Sequence, residues 1–210
     1  VLGVVGIEFE AGHQYDTYRS LRLLLPLFIL LFSLGACLAS RLLFRRISNP
    51  FYRDMSNTDY LTQLKNRNAY QLDIGNRIAG KAQEGTGFIL LDLNGLKHVN
   101  DTLGHDAGDV YITCVSKAYL NMRTREAVMY RIGGDEFVVV MPDADRDKIQ
   151  DFMRRFGDMF NREASMPEFT FSWGYSIYDP KADADLYSTC RRADKNMYMR
   201  KQQYYKNKNT

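Results

Sequence analysis

From Leu23 to Ser40 the chain carries no charged side chain, and the apolar run around it, LRLLLPLFILLFSLGACLASRLLF (Leu21–Phe44), reaches the length at which a helix crosses a bilayer. Pro26 lies near one end, where a membrane helix tolerates it. A signal peptide would need a basic region close ahead and a small-residue cleavage site behind. Glu8, Glu10 and Asp16 stand ahead of the uncharged run with Arg19 and Arg22, and Arg41, Arg45 and Arg46 crowd its far end. That asymmetry places the residues after about 45 in the cytoplasm. A buried core helix is the plain alternative; the length favours a transmembrane helix over residues 21–44.

The flanks follow from that assignment. VLGVVGIEFE (Val1–Glu10) alternates and is rich in β-branched residues, so it is expected to be a strand. A lone strand cannot be a domain. Residues 1–20 therefore read as the tail of an extracytoplasmic domain whose ligand is not legible, and a chain starting at Val1 reads as a fragment or a processed product. The strand resembles the closing strand of Cache-type ligand sensors. RRISNPFYRDMSN, within residues 45–57, reads as a linker in which Pro50 interrupts any continuous helix. A formal charge of +3 is too small to argue for nucleic acid. Cys37, Cys114 and Cys190 lie far apart with no Cys/His cluster, which disfavours zinc and a disulfide framework alike.

From Thr58 to the end, helices and strands alternate. A helix is expected over residues 66–83, weakened by Gly75 and Gly80. GFILLDL (Gly87–Leu93) is a short apolar run with the look of a buried strand. Ala107, Val110, Tyr111, Cys114, Val115, Ala118, Tyr119 and Met122 form a helical stripe, so Cys114 is read as core and not as a nucleophile. AVMYRI and FVVVMP flank a Gly-Gly-Asp-Glu turn as a hairpin. Further helices over about 145–162 and 184–201, with a strand between them, complete an α/β sandwich on a mixed sheet.

The hairpin turn raises the chemical question. Asp135 and Glu136 follow Gly133 and Gly134 directly, and Asp92 closes the first buried strand. If the hairpin lies beside that strand, three carboxylates converge without a basic neighbour in sequence. A buried carboxylate is costly unless paired, and hard oxygen ligands favour Mg²⁺ or Mn²⁺ completed by substrate phosphates. The two glycines would then admit a phosphate close to the backbone. An acidic, solvated hairpin tip is the plain alternative.

LDLNGLKHVNDTLGHDAGD (Leu91–Asp109) adds weight to the site. Lys97 and Asn100 are neighbours if that turn is helical, and Lys97 suits a phosphate. Asn100 and Asp109 together present the acceptors and donors that match a guanine edge, which favours GTP over ATP. Singly, they read as a helix end and a first-turn acid.

RIGGDEF, LDLNGLKHVNDTLGHDAGD and DYLTQLKNR (Asp59–Arg67), in these relative positions, resemble the GGDEF family of diguanylate cyclases from about Thr58 to Lys201. The resemblance implies a nucleotidyl-cyclase palm-like fold, a mixed central sheet flanked by helices, here preceded by one transmembrane helix. It implies condensation of two GTP into cyclic di-GMP. By position it assigns Asp92, the Leu93 carbonyl and Asp135 to metal binding, with Glu136 beside them and Asp135 also as base for the 3′-hydroxyl. Asn100 and Asp109 fall on the guanine-binding positions, with His105 in the same loop. Backbone amides at Gly95 and Leu96, with Lys97 and Lys201, fall on the phosphate-binding positions. Each domain holds one GTP, so the product requires a homodimer. A bacterial inner-membrane location with a cytoplasmic catalytic domain follows.

Several positions depart from the family pattern. Gly95 and Leu96 stand where two aromatics are frequent, and Asn94 where Asp is. Tyr205 stands where a second phosphate-contacting cation is usual, with Lys206 next to it. Thr124 and Ala127 occupy the positions of an inhibitory Arg-x-x-Asp motif, so product inhibition there is expected to be absent or weak. A GTP-binding regulatory module without turnover is the runner-up function. Cyclisation of ATP is disfavoured by Asp109.

Overall fold

The computed structural model describes residues 11–47, 57–81 and 83–208. The strand expected at Val1–Glu10 and most of the expected linker lie outside them. The chain divides into two compact units, Val1–Arg53 and Asp54–Thr210.

In the first unit, α1 (Ala11–Ile47) runs 37 residues without a break at Pro26. It starts well before the expected span, so residues 11–20 are helical. Leu24–Phe44 is long and apolar enough to cross a membrane, and none of it is buried. Leu24, Phe28, Leu31 and Phe32 are all exposed.

The second unit is a five-stranded mixed sheet with helices on both faces. Its elements are β1 (Lys65–Asn66), α2 (Arg67–Ala79), β2 (Gly87–Leu93), α3 (Leu96–Leu103), α4 (His105–Met122), β3 (Val128–Arg131), β4 (Glu136–Met141), α5 (Arg146–Glu163), β5 (Phe171–Ile177) and α6 (Leu186–Lys208). The strand order is β1-β3-β4-β2-β5. β1 pairs parallel with β3, and the other pairs are antiparallel. β2 thus has a neighbour on each side and helices above and below, which is why Phe88 to Leu91 are apolar on both faces.

Alternation along the strands sorts the core into two layers. Ile89, Leu91 and Leu93 join Tyr111, Cys114, Val115, Phe152 and Phe156 of α4 and α5. Phe88 and Leu90 join Tyr70, Ile74, Ala193 and Met197 of α2 and α6. Cys114 is core, as its helical stripe implies. Asp92 has the parity of Phe88 and Leu90, and so it faces α6.

Local signals account for the ends. Asn66 caps α2 by accepting from the amides of Asn68 and Ala69, and Gly80 closes it, earlier than expected. Asp145 caps α5 through the Lys148 amide. Gly174 lets α6 lie directly on β5: a Cβ there would sit 2.0 Å from the Met197 nitrogen. α6 runs to Lys208, well past the expected end at Lys201.

Candidate active site

The site gathers at one end of the sheet, where β2 ends and the β3–β4 hairpin turns. Asp92 and Glu136 are cross-strand partners, and the Leu93 amide donates to the Asp135 carbonyl (3.2 Å). The hairpin therefore does lie beside β2, and the three carboxylates share one end of the sheet. Ile132 and Gly133 amides both donate to the Glu136 carbonyl (3.0 and 3.4 Å), closing the turn.

Electrostatics record the crowding. Burial pushes the Asp92 carboxyl up, and nearby Asp135 and Asp194 add to this against the opposing Lys201. Burial likewise raises Glu136, followed by the charges of Asp135, Asp92 and Asp194. Asp92 is 7% exposed, and its Oδ1 accepts a hydrogen bond from the Lys201 ammonium on α6. Among the described residues no three His, Cys, Asp or Glu side chains converge as a ready metal cluster. The donor set is nonetheless of the hard-oxygen type that suits Mg²⁺: the Asp92 and Glu136 carboxyls both hold their protons more tightly than usual, first through burial and then through their acidic neighbours, a cost that a divalent cation relieves.

The two glycines play different parts. A Cβ at Gly133 would lie 2.6 Å from Glu136 Oε2, so that glycine makes room for the Glu136 side chain. At Gly134 a Cβ would meet open space.

Sequence reasoning missed what holds the hairpin. Arg131 donates from Nε and Nη2 to the carbonyls of Gly133 and Gly134 and reaches Asp59 through Nη1 (3.0 Å). Asp59 is held below the usual carboxylate range: burial opposes this, but the Thr62 hydroxyl and amide and Arg131 outweigh it. The Asp-x-x-Thr of DYLTQLKNR is thus a brace for the signature turn. The clue was the pairing of an Arg just ahead of the glycines with an Asp outside them.

The turn after β2 leads from the carboxylates to the expected phosphate positions. Asn94 is buried and structural: its amide bonds Thr170 Oγ1 (3.1 Å) and accepts from Ser172 Oγ (2.8 Å). The Tyr111 hydroxyl, another contributor not foreseen, accepts from the Thr170 amide and has the Asn94 and Thr170 carbonyls within reach of its single proton. Gly95 adopts φ +73°, a left-handed conformation that disfavours any side chain. Leu96 anchors the start of α3 in the core, leaving Lys97 exposed. No side chain caps α3.

At the α3–α4 corner, Asn100 Oδ1 is fully buried and meets no donor among the described residues. A buried acceptor without a partner is costly in an empty site and useful in one that receives a donor-bearing ligand. The Asn100 amide rests on Gly108, where a Cβ would lie 1.9 Å from Oδ1. Asp109 is the next residue and, like His105 at the start of α4, is exposed. Gly108→Ala should raise helix propensity by about 1 kcal/mol yet displace the Asn100 amide. The expected outcome is an unchanged or higher Tm with about tenfold weaker GTP binding, read by calorimetry.

Sheet order, turn and corner bring three carboxylates and a buried side-chain amide to one end of an α/β domain. Residues 56–207 match the family model described as diguanylate cyclase, GGDEF domain, and the chain belongs to that family. It is 31% identical over 164 residues to the probable diguanylate cyclase DgcJ of Escherichia coli, covering 77% of this chain and 32% of DgcJ. It is also 31% identical over 153 residues to the cyclic di-GMP phosphodiesterase PdeR of the same organism, covering 71% of this chain and 23% of PdeR. The chain thus spans a third or less of these two relatives. The crystal structure of the coiled coil and GGDEF domain of DgcB from Caulobacter crescentus, in complex with c-di-GMP, superposes with a TM-score of 0.64 at 27% identity, over 81% of this chain and 95% of that one.

Proposed function

We propose that the chain is a diguanylate cyclase that condenses two GTP into cyclic di-GMP with release of two pyrophosphates. The 3′-hydroxyl of each nucleotide attacks the α-phosphate of the other, two P–O bonds form, and two pyrophosphates leave. Asp135 takes the hydroxyl proton. Asn100 and Asp109 hold guanine, with His105 in the same corner. The amides of Gly95 and Leu96, with Lys97 and Lys201, hold the phosphates. Asp92, the Leu93 carbonyl, Asp135 and Glu136 would hold Mg²⁺, or Mn²⁺, which supplies activation of the hydroxyl and neutralises the leaving group. The observation that carries this reading is the buried, unpartnered Asn100 oxygen at the position where a guanine donor belongs.

Because each domain presents one nucleotide site, the reaction requires two copies face to face. The helix through Leu24–Phe44 anchors the chain in the bacterial inner membrane, with the arginines beyond it and the catalytic domain on the cytoplasmic side. An outer domain would then receive an extracytoplasmic ligand.

A GTP-binding regulatory module is the second reading. It is favoured by the Lys201–Asp92 contact, which occupies a metal-ligand carboxylate, and by similarity to a relative named as a phosphodiesterase. The full chain, purified in detergent and incubated with GTP and Mg²⁺, decides between them by chromatography of the nucleotides. Cyclic di-GMP plus pyrophosphate establishes the cyclase; bound but unchanged GTP establishes the module. Added cyclic di-GMP should leave the initial rate of pyrophosphate release unchanged. Ala127 is buried and Glu126 is paired with Arg155 (2.9 Å), so no Arg-x-x-Asp side chains stand ready at the inhibitory position.

A further inference from the structure

The extension of α6 beyond Lys201 brings three consecutive contacts onto the site. Lys201 binds Asp92. Thr170 Oγ1, itself bound by the Asn94 amide, donates to the Tyr204 hydroxyl (3.3 Å). The Gly95 amide donates to the Tyr205 hydroxyl (3.1 Å) across 110 residues of sequence. The rings of Tyr204 and Tyr205 meet edge to face at 5.3 Å, which steadies the second ring over the turn.

Gly95 has open space where a Cβ would be, and α3 lacks a side-chain cap. The Tyr205 hydroxyl therefore takes the place that a phosphate oxygen needs at this amide. One N–H cannot serve two acceptors at full strength. A charged phosphate outcompetes a neutral phenol, but only after breaking the existing bond.

We propose that Tyr205 is an affinity-setting residue whose hydroxyl caps the Gly95 amide in the nucleotide-free chain and weakens GTP binding. This role rests on the cyclase reading, in which the Gly95 amide binds phosphate. It turns the departure at Tyr205 from a lost cation into a competitor for the phosphate's own donor.

Tyr205→Phe removes the hydroxyl and keeps the ring against Tyr204. The test measures binding of an α,β-methylene analogue of GTP, which cannot react, to the full chain with Mg²⁺ by calorimetry, beside guanosine as a ligand without phosphates. The expected result is about two- to tenfold tighter binding of the analogue by the variant, with guanosine binding unchanged. Equal or weaker binding of the analogue would overturn the proposal, since the hydroxyl would then be idle or aiding the phosphate. An equal gain for guanosine would also overturn it, because the effect would not act at the phosphates. A wild-type chain that binds guanosine but not the analogue removes the phosphate role of Gly95 and this proposal with it. A chain that binds neither removes the GTP reading itself.

Discussion

Asp135→Asn is expected to lower cyclic di-GMP formation at least about 10³-fold while leaving Tm within about 2 °C of wild type. The Asp135 backbone is fixed by its carbonyl, which accepts from Leu93, and Asn keeps that bond. What changes is one negative charge at a sheet end that already holds Asp92 and Glu136. Both of these carboxyls are raised, first by burial and then by their acidic neighbours, with Asp135 acting on each. A carboxyl whose folded pKa exceeds its unfolded value costs stability as pH rises through that interval, and the cost persists at neutral pH. Removing the Asp135 charge eases it, so the variant should not be less stable and is expected to show a smaller loss of stability between acidic and neutral pH. Initial-rate assays and melting curves at both pH values check the two halves. A variant that retains wild-type turnover would show that another group takes the proton.

How much of this was legible follows the physics of each segment. β2 was readable because burial on both faces leaves an apolar run from Phe88 to Leu91. α4 was readable from the apolar stripe running from Ala107 to Met122. β1 was not, since two residues carry no period. The end of α6 was misplaced because QQYYKNK shows no apolar stripe. Its helix continues through polar contacts, Tyr204 to Thr170 and Tyr205 to Gly95, whose partners lie far away in sequence. The same logic divides the site. Grouping Asp92 with Asp135 and Glu136 depended on a sheet order that sequence could only suppose, and the β2–β4 register supplies it. Arg131, Asp59 and Tyr111 act through backbone carbonyls or across long loops, which residue type alone does not announce.

Gly174 tests whether α6 is a working part of the site or only its cover. Gly174→Ala is expected to destabilise the domain by about 3 kcal/mol or more, lowering Tm by roughly 6–12 °C. The new methyl carbon would lie 2.0 Å from the Met197 nitrogen and 2.6 Å from the Asn196 carbonyl carbon. These are backbone atoms inside a helix, so no rotamer change relieves the clash and α6 must rise from β5. Met197 and Ala193 would then leave the α2–α6 core layer. Farther along the same helix, Lys201 would withdraw from Asp92 and Tyr205 from Gly95. The fraction that remains folded should therefore bind GTP differently from wild type, measured by calorimetry below the melting transition. A variant with lowered Tm but unaltered GTP affinity would show that α6 stabilises the sheet without shaping the phosphate end of the site.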